Sequence, residues 1–120
     1  MAPETANDSR QTFIDLTKKN FKETVIDSKK AFIVEIRADW CGECFILEPL
    51  LKRLAAEYSG RIRFGFVNVD TNEELTKQFG VTELPFTLFF KNGELVHHLI
   101  GLHSTKILRR YTEKIVTSDL

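Results

Sequence analysis

The residues with the clearest chemical potential are Cys41 and Cys44, the only two cysteines of the chain, which are separated by two residues. The only tryptophan, Trp40, directly precedes them. Two thiols at this spacing can carry out dithiol–disulfide exchange: one thiolate attacks a substrate disulfide, and the second thiol resolves the mixed disulfide that forms. The sequence therefore points first to residues 40–44.

The elements around this motif are those that such chemistry requires. Residues 31–37 read as a buried strand, and a helical pattern begins at Gly42, so the motif lies on the turn from a strand into a helix. Unpaired N–H groups and the macrodipole favour an anion at a helix start, which makes a thiolate accessible near neutral pH. Cys41 is thus the predicted attacking thiol, and Cys44, one turn later, the resolving thiol.

Two other uses of the cysteines compete with this interpretation. A zinc site would need two of the three histidines, His97, His98 and His103. Adjacent histidines on a strand point to opposite faces, and there is no second C-x-x-C, so zinc is disfavoured and the histidines receive no role. A purely structural disulfide closing so short a loop would constrain the unfolded chain little.

Length and composition indicate one globular domain. Of 120 residues, 42% are hydrophobic and 28% charged, and 17 basic residues balance 17 acidic ones, so nothing suggests nucleic acid or an anionic membrane as a partner. We expect a flexible tail over residues 1–11 and a domain over residues 12–117. No signal-peptide or membrane-span pattern is present, which predicts a cytoplasmic protein, or a periplasmic or extracellular one if a signal peptide has been removed.

Hydrophobic spacing and turn residues predict an α/β domain with the order βαβαβαββα. The strands are expected at residues 12–16, 31–37, 61–70, 84–90 and 94–100. The helices are expected at residues 18–26, 42–58, 72–79 and 105–116. Local signals accompany them: N-caps at Thr17 and Ser104, a capping box from Thr71 to Glu74, a kink at Pro49 and a hairpin turn at Asn92–Gly93.

The motif and this order together resemble the thioredoxin family over about residues 13–116. The matching positions are Trp40–Cys44, Pro49, Asn68–Asp70, Gly80, Pro85, Asn92–Gly93 and Gly101. The resemblance implies the thioredoxin fold, a central mixed sheet flanked by helices, and thiol–disulfide exchange acting mainly to reduce protein disulfides. A disulfide oxidant or isomerase, and a binding module without turnover, stay open as alternatives.

The resemblance also implies a partner surface. Pro85 corresponds to the family's cis-proline, which faces the dithiol and lets the Leu84 backbone present its edge to an extended substrate. An apolar, flat surface around Cys41 would include Trp40, Leu84, Pro85, Ile100, Gly101 and Leu102, with Gly42 and Glu43 of the motif also contacting substrate. The implied partners are proteins with exposed disulfides and a recycling reductase. The chain is expected to be a monomer whose only redox group is the Cys41–Cys44 disulfide, with no bound cofactor.

Glu35 lies where the family usually has a buried aspartate beneath the dithiol, so the resemblance makes it a candidate acceptor for the Cys44 proton. An ion pair with Arg37 on the same strand face is the alternative. Five positions depart from the family pattern by replacing a proline, a lysine, a threonine, a tryptophan and a lysine respectively: Glu43, Phe45, Phe86, Arg37 and Phe66. These changes predict an altered electrostatic environment and a narrower range of partners.

Overall fold

The computed structural model describes residues 13–117, and within that range five strands form one mixed sheet. The strands are β1 (Ile14–Leu16), β2 (Ala31–Arg37), β3 (Ile62–Asn68), β4 (Phe86–Lys91) and β5 (Glu94–Ile100), arranged β1-β3-β2-β4-β5. Strands β1 and β2 run parallel to β3, whereas β4 runs antiparallel to β2 and β5. The predicted fold class is confirmed, and the predicted tail, residues 1–11, lies outside the described residues.

Helices cover both faces of the sheet. The helices are α1 (Gly42–Glu57), α2 (Glu73–Gln78) and α3 (Thr105–Thr117), with a π-helical turn at Lys22–Ile26 and a 3₁₀ turn at Val69–Thr71. Helices α1 and α3 pack on one face, while α2 and the π-helical turn pack on the other. No helix among residues 13–117 is long and apolar enough to cross a membrane.

The central strand β2 contributes to two cores because its side chains alternate between the faces. Ile33 packs beneath α1 and α3, whereas Phe32, Val34 and Ile36 pack on the opposite side. All of these side chains are buried. The strand therefore lies at the centre of the fold, and its last residues lead directly to the cysteine motif.

The first predicted helix, residues 18–26, is wrong in length and type, since only Lys22–Ile26 is helical and it forms a π-turn. The predicted cap at Thr17 is nevertheless present, because its hydroxyl accepts from the Lys19 backbone N–H at 3.2 Å. The amide side chain of Asn20 adds to it: its oxygen accepts a hydrogen bond from the Thr17 backbone at 2.8 Å, and its nitrogen donates to the Asp15 carbonyl at 3.1 Å. The chain therefore turns at Thr17 as predicted, and the regular segment that follows is a π-turn.

The prediction for residues 61–80 needs a similar correction. Strand β3 ends at Asn68, whose side-chain oxygen accepts from the Asp70 backbone at 2.9 Å and so starts a 3₁₀ turn. The predicted Thr71–Glu74 capping box is absent: Asn72 is the N-cap of α2, and the Thr71 hydroxyl lies 3.5 Å from the Asn68 carbonyl. A local asparagine turn overrides the pattern here.

Other boundaries follow the prediction closely. Ser104 caps α3, because its hydroxyl accepts from the Ile107 backbone at 3.2 Å. Asn92 and Gly93 have φ values of 52° and 81°, as a tight hairpin turn requires. Strand β4 begins at Phe86 rather than residue 84. Pro49 lies inside α1, and the kink expected there stays a prediction.

Candidate active site

Cys41 and Cys44 form a disulfide at the start of α1, with their Cα atoms 5.3 Å apart. Cys41 is the N-cap of the helix, in an extended conformation with φ −93° and ψ 103°. Its sulfur accepts a hydrogen bond from the Cys44 backbone N–H at 3.1 Å. Cys44 is fully buried, whereas 7% of Cys41 is exposed. A partner approaching from solvent therefore meets the Cys41 sulfur first.

The N-cap position also determines the electrostatic environment of the Cys41 sulfur once the disulfide is reduced. The same Cys44 N–H can donate to a Cys41 thiolate, and the positive end of the α1 macrodipole lies beside it. Both interactions stabilise the anion more than the neutral thiol, which favours nucleophilic attack by Cys41.

Apolar residues pack against the disulfide. Ala38, Cys41 and Cys44 form a small buried cluster, against which Val69 and Leu84 pack. The Leu84–Pro85 peptide bond is cis. Leu84 is half-buried and Pro85 is buried, so Leu84 reaches the surface and Pro85 itself does not.

The end of β5 and the residues that follow it border the site on its other side. The backbone N–H of Gly101, with φ +87°, donates to the Pro85 carbonyl at 2.7 Å and ties the end of β5 to the cis-proline loop. Ile100 and Leu102, on either side of this glycine, are exposed. The structure therefore places these predicted surface residues beside the loop that packs against the disulfide.

The surface around Cys41 carries an exposed aromatic ring and a shallow groove. Trp40 is 70% exposed, and its Nε1–H donates to the Asp70 carboxylate at 3.0 Å. A groove of about 530 Å³ runs between Trp40 and the segment that ends at Leu84. Gly42 and Glu43 are exposed beside it. The predicted partner surface thus consists of an exposed ring, a groove and an apolar patch.

Glu35 is fully buried on β2, on the face covered by α1. Burial and, to a smaller extent, the Glu48 carboxylate raise the pKa of its carboxyl to about 8, against the opposing effects of Arg37 and Lys52. Neither carboxyl oxygen has a hydrogen-bond partner within the described part of the chain. The group therefore holds its proton at neutral pH, because the interior disfavours the charge.

The alternative of a Glu35–Arg37 ion pair is wrong. The Arg37 guanidinium instead pairs with the Glu48 carboxylate, and both side chains are largely buried. The guanidinium carbon also lies 3.9 Å from the centre of the Phe66 ring. Helix α1 places Glu48 above the strand, so Arg37 has a closer partner than its neighbour two residues away.

Orphaned buried polar atoms concentrate in this one region. Among the described residues, the buried side-chain atoms without a partner are both Glu35 oxygens, Arg37 Nε and Thr87 Oγ1. Thr87 lies directly opposite Glu35 in the β2–β4 register. Leaving a buried polar group unpaired costs about 1–3 kcal/mol, so this region is less favourable for stability than an apolar core would be.

Sequence reasoning missed Glu48 and Thr87 as neighbours of Glu35. Glu48 follows Cys44 by four residues on α1 and so shares its helix face, a spacing that could have identified it. Thr87 gave no comparable signal, since its position opposite Glu35 depends on the register between two distant strands.

The histidines do not assemble with the cysteines. His97 contacts the ring of Tyr111, with centroids 5.2 Å apart, and His98 stacks on Phe86 at 5.3 Å. The His103 Nε2 lies 2.9 Å from the Ile100 carbonyl. Between residues 13 and 117 there is no group of three or more His, Cys, Asp or Glu side chains placed to hold a metal ion.

Comparisons with known proteins agree with this geometry. A family model for thioredoxin matches residues 12–114. A thioredoxin of Chlorobaculum thiosulfatiphilum is 35% identical over 104 residues, which are 86% of this chain and 96% of that protein. A thioredoxin of Buchnera aphidicola is 33% identical over 101 residues, 84% of this chain and 94% of the relative. The chloroplastic M-type thioredoxin of Spinacia oleracea is 34% identical over 103 residues, 86% of this chain and 57% of the relative.

Proposed function

Because the chain belongs to the thioredoxin family and is therefore a thiol–disulfide oxidoreductase, we propose that it acts mainly as a reductant of disulfides in other proteins. The observation that carries the proposal is the pairing of an N-cap sulfur on Cys41 with a fully buried Cys44. This arrangement gives one thiol access to partners and keeps the other for resolution.

The first step uses the reduced protein. The Cys41 thiolate attacks one sulfur of the substrate disulfide, so a bond forms between Cys41 and that sulfur while the substrate S–S bond breaks. The other substrate sulfur leaves as a thiolate and takes a proton from solvent. The product is a mixed disulfide between Cys41 and the substrate.

The second step releases the substrate. Cys44 gives up its proton and attacks the Cys41 sulfur, which forms the intramolecular disulfide and expels the second substrate thiolate. Two electrons have then passed from the dithiol to the substrate. We assign the proton to Glu35 in its ionised form, the minor form at neutral pH, because a carboxyl with a pKa of about 8 has a proton affinity close to that of an ordinary thiol and can pass the proton on to solvent afterwards.

The partner surface completes the proposal. Trp40, Leu84, Ile100 and Leu102 offer exposed or half-exposed apolar area around the reactive sulfur, which suits protein substrates. We propose that the chain works as a monomer and is returned to the dithiol form by a reductase. A reducing compartment such as the cytoplasm fits this direction, since disulfides there are kept reduced.

The test is catalysed reduction of insulin with dithiothreitol as the electron source. The wild-type chain should accelerate the reaction well beyond dithiothreitol alone, Cys41→Ser should abolish the acceleration, and Cys44→Ser should accumulate mixed disulfides through Cys41. No acceleration by the wild type would favour a binding module. A potential too oxidising for insulin reduction, together with oxidation of reduced substrates, would favour an oxidant or isomerase.

A further inference from the structure

Acidic side chains surround the face that carries the dithiol. Asp39 and Glu43 are exposed on either side of Cys41, Asp70 accepts the Trp40 indole hydrogen bond, and Glu83 is exposed in the segment before Leu84. The segments that build this face, residues 38–48, 69–72, 81–86 and 99–104, contain no lysine or arginine.

Basic side chains concentrate at the other end of the sheet. Four of them line one cavity of about 290 Å³: Lys29, Lys30, Arg61 and Lys91. They lie where β2 and β3 begin and β4 ends, whereas the disulfide follows the end of β2. The exposed charges named around the dithiol are therefore acidic, whereas those that line this opposite cavity are basic.

The groove beside Trp40 has a specific chemical character. Its walls include the apolar side chains of Val69, Val81 and Leu84 and the largely exposed Trp40 indole. Of the residues that the structure describes, Glu83 is the one charged residue that lines it. An occupant therefore needs an apolar stem and, at one point, a positive group.

We propose that the protein substrates of this dithiol carry a lysine or arginine beside the cysteine to be reduced, and that the groove next to Trp40 receives that side chain. The inference rests on the proposed function and names its substrate class. The methylene stem lies along Val69 and Val81, and the cation meets the Glu83 carboxylate. The exposed indole of Trp40 offers a second favourable contact with the cation.

Other occupants fit the groove less well. A purely apolar side chain would desolvate Glu83 without giving its carboxylate a partner. An acidic segment would be repelled by Asp39, Glu43, Asp70 and Glu83 together. A cationic segment is also attracted before contact, because the acidic end of the molecule orients towards it during approach.

The experiment uses two disulfide-linked reporter peptides that differ only in the residues flanking the cysteine, two lysines or two glutamates. The second-order rate of reduction by the pre-reduced full chain is measured for each peptide. Each rate is divided by the rate with dithiothreitol, a neutral reductant, which removes differences in the intrinsic reactivity of the peptides. We expect a normalised preference of about tenfold for the lysine peptide at low ionic strength, decreasing towards about twofold in 0.5 M salt.

Two variants locate the effect. Glu83→Gln should reduce the preference about threefold, whereas Glu94→Gln, an exposed change at the basic end, should leave it unchanged. A normalised preference near one in the wild type overturns the proposal, and an undiminished preference in Glu83→Gln overturns the assignment to the groove. If both peptides are reduced equally well, the reductase function stands and only its substrate class fails; if neither is reduced, the function itself fails.

Discussion

The two faces of strand β2 are equally buried but chemically different. On the side covered by α2 and the π-helical turn, Phe32, Val34 and Ile36 join a core composed of apolar side chains. On the side covered by α1, Ile33 is followed by Glu35 and then Arg37. The second face thus carries a carboxyl that has no hydrogen-bond partner between residues 13 and 117, and a guanidinium that pairs with a carboxylate of α1.

This difference shows that the fold accommodates a buried carboxyl at a cost in stability, next to the site of the proposed chemistry. The apolar face gains free energy from burial, while a carboxyl on the other face loses hydration without gaining a hydrogen bond. The polar face is also the one covered by α1, the helix that contains Cys44 and Glu48. Its polar groups therefore coincide with the proposed proton route and not with the needs of stability.

The largest loss of stability is expected when a carboxyl is placed on the apolar face. Ile36→Glu should destabilise the fold by at least about 4 kcal/mol at neutral pH, because no neighbour there can pair with the charge. Urea unfolding followed by circular dichroism measures the loss, with Ile36→Val as a control that should cost only about 0.5–1.5 kcal/mol. A loss below about 1 kcal/mol for Ile36→Glu would show that the two faces are equally tolerant.

The second test removes the carboxyl from the polar face. The pKa of Glu35 is about 8 in the fold and 4.5 as the ordinary value. Below pH 4.5 both folded and unfolded chains hold the proton; between pH 4.5 and 8 the unfolded chain releases it first, so stability falls, and above pH 8 the loss is complete. Glu35→Gln should therefore be more stable than wild type by a few kcal/mol at pH 8, a gain that disappears near pH 4.5.

Urea unfolding of the oxidised protein at both pH values checks this, with the exposed Glu94→Gln as a control that should show no such gap. The same Glu35→Gln variant should resolve mixed disulfides more slowly, while the first attack, isolated in the Cys44→Ser background, keeps its rate. Equal resolution rates in mutant and wild type would make Glu35 a mere structural residue.

The third test concerns the helix residue above the polar face. Glu48→Gln leaves Arg37 without its carboxylate, which should cost about 1–3 kcal/mol. It also removes a charge that raises the pKa of Glu35, so the fall in stability with pH should still begin near pH 4.5 but end at a lower pH and be smaller in total. Glu57 also lies on α1 and forms an exposed pair with Arg109 of α3, so Glu57→Gln is a control that should cost under about 1 kcal/mol. If stability depends on pH in Glu48→Gln as it does in the wild type, the Glu48 charge does not affect the pKa of Glu35.

The smallest expected effect concerns Glu43, which is exposed in the first turn of α1. Its carboxylate repels the Cys41 thiolate, so Glu43→Gln should stabilise the dithiol form and raise the reduction potential by roughly 15–25 mV. Equilibration with a glutathione buffer measures the potential, and the difference should shrink at high salt. A potential that stays the same or decreases would mean that the Glu43 charge does not act on Cys41.

Local sequence signals determined much of this protein. The C-x-x-C between a strand and a helix, the Asn92–Gly93 hairpin and the Ser104 cap depend on residues close in the chain, so the pattern contains the interactions that produce them. The same reasoning failed at residues 22–26, where the predicted α-helix is a π-turn. It also failed at residues 68–72, where the Asn68 side chain binds the Asp70 backbone and a 3₁₀ turn replaces the predicted helical start.

Only the tertiary structure decided which partners the buried polar groups have. Glu35 and Arg37 share a strand face, so the sequence suggested an ion pair between them. The packing of α1 instead pairs Arg37 with Glu48, and Glu35 has no hydrogen-bond partner among the described residues. The register between β2 and β4 likewise placed Thr87 opposite Glu35. Such contacts depend on how separate elements align in space, and because desolvation and charge act over a few ångströms, that alignment sets the proton affinity of Glu35.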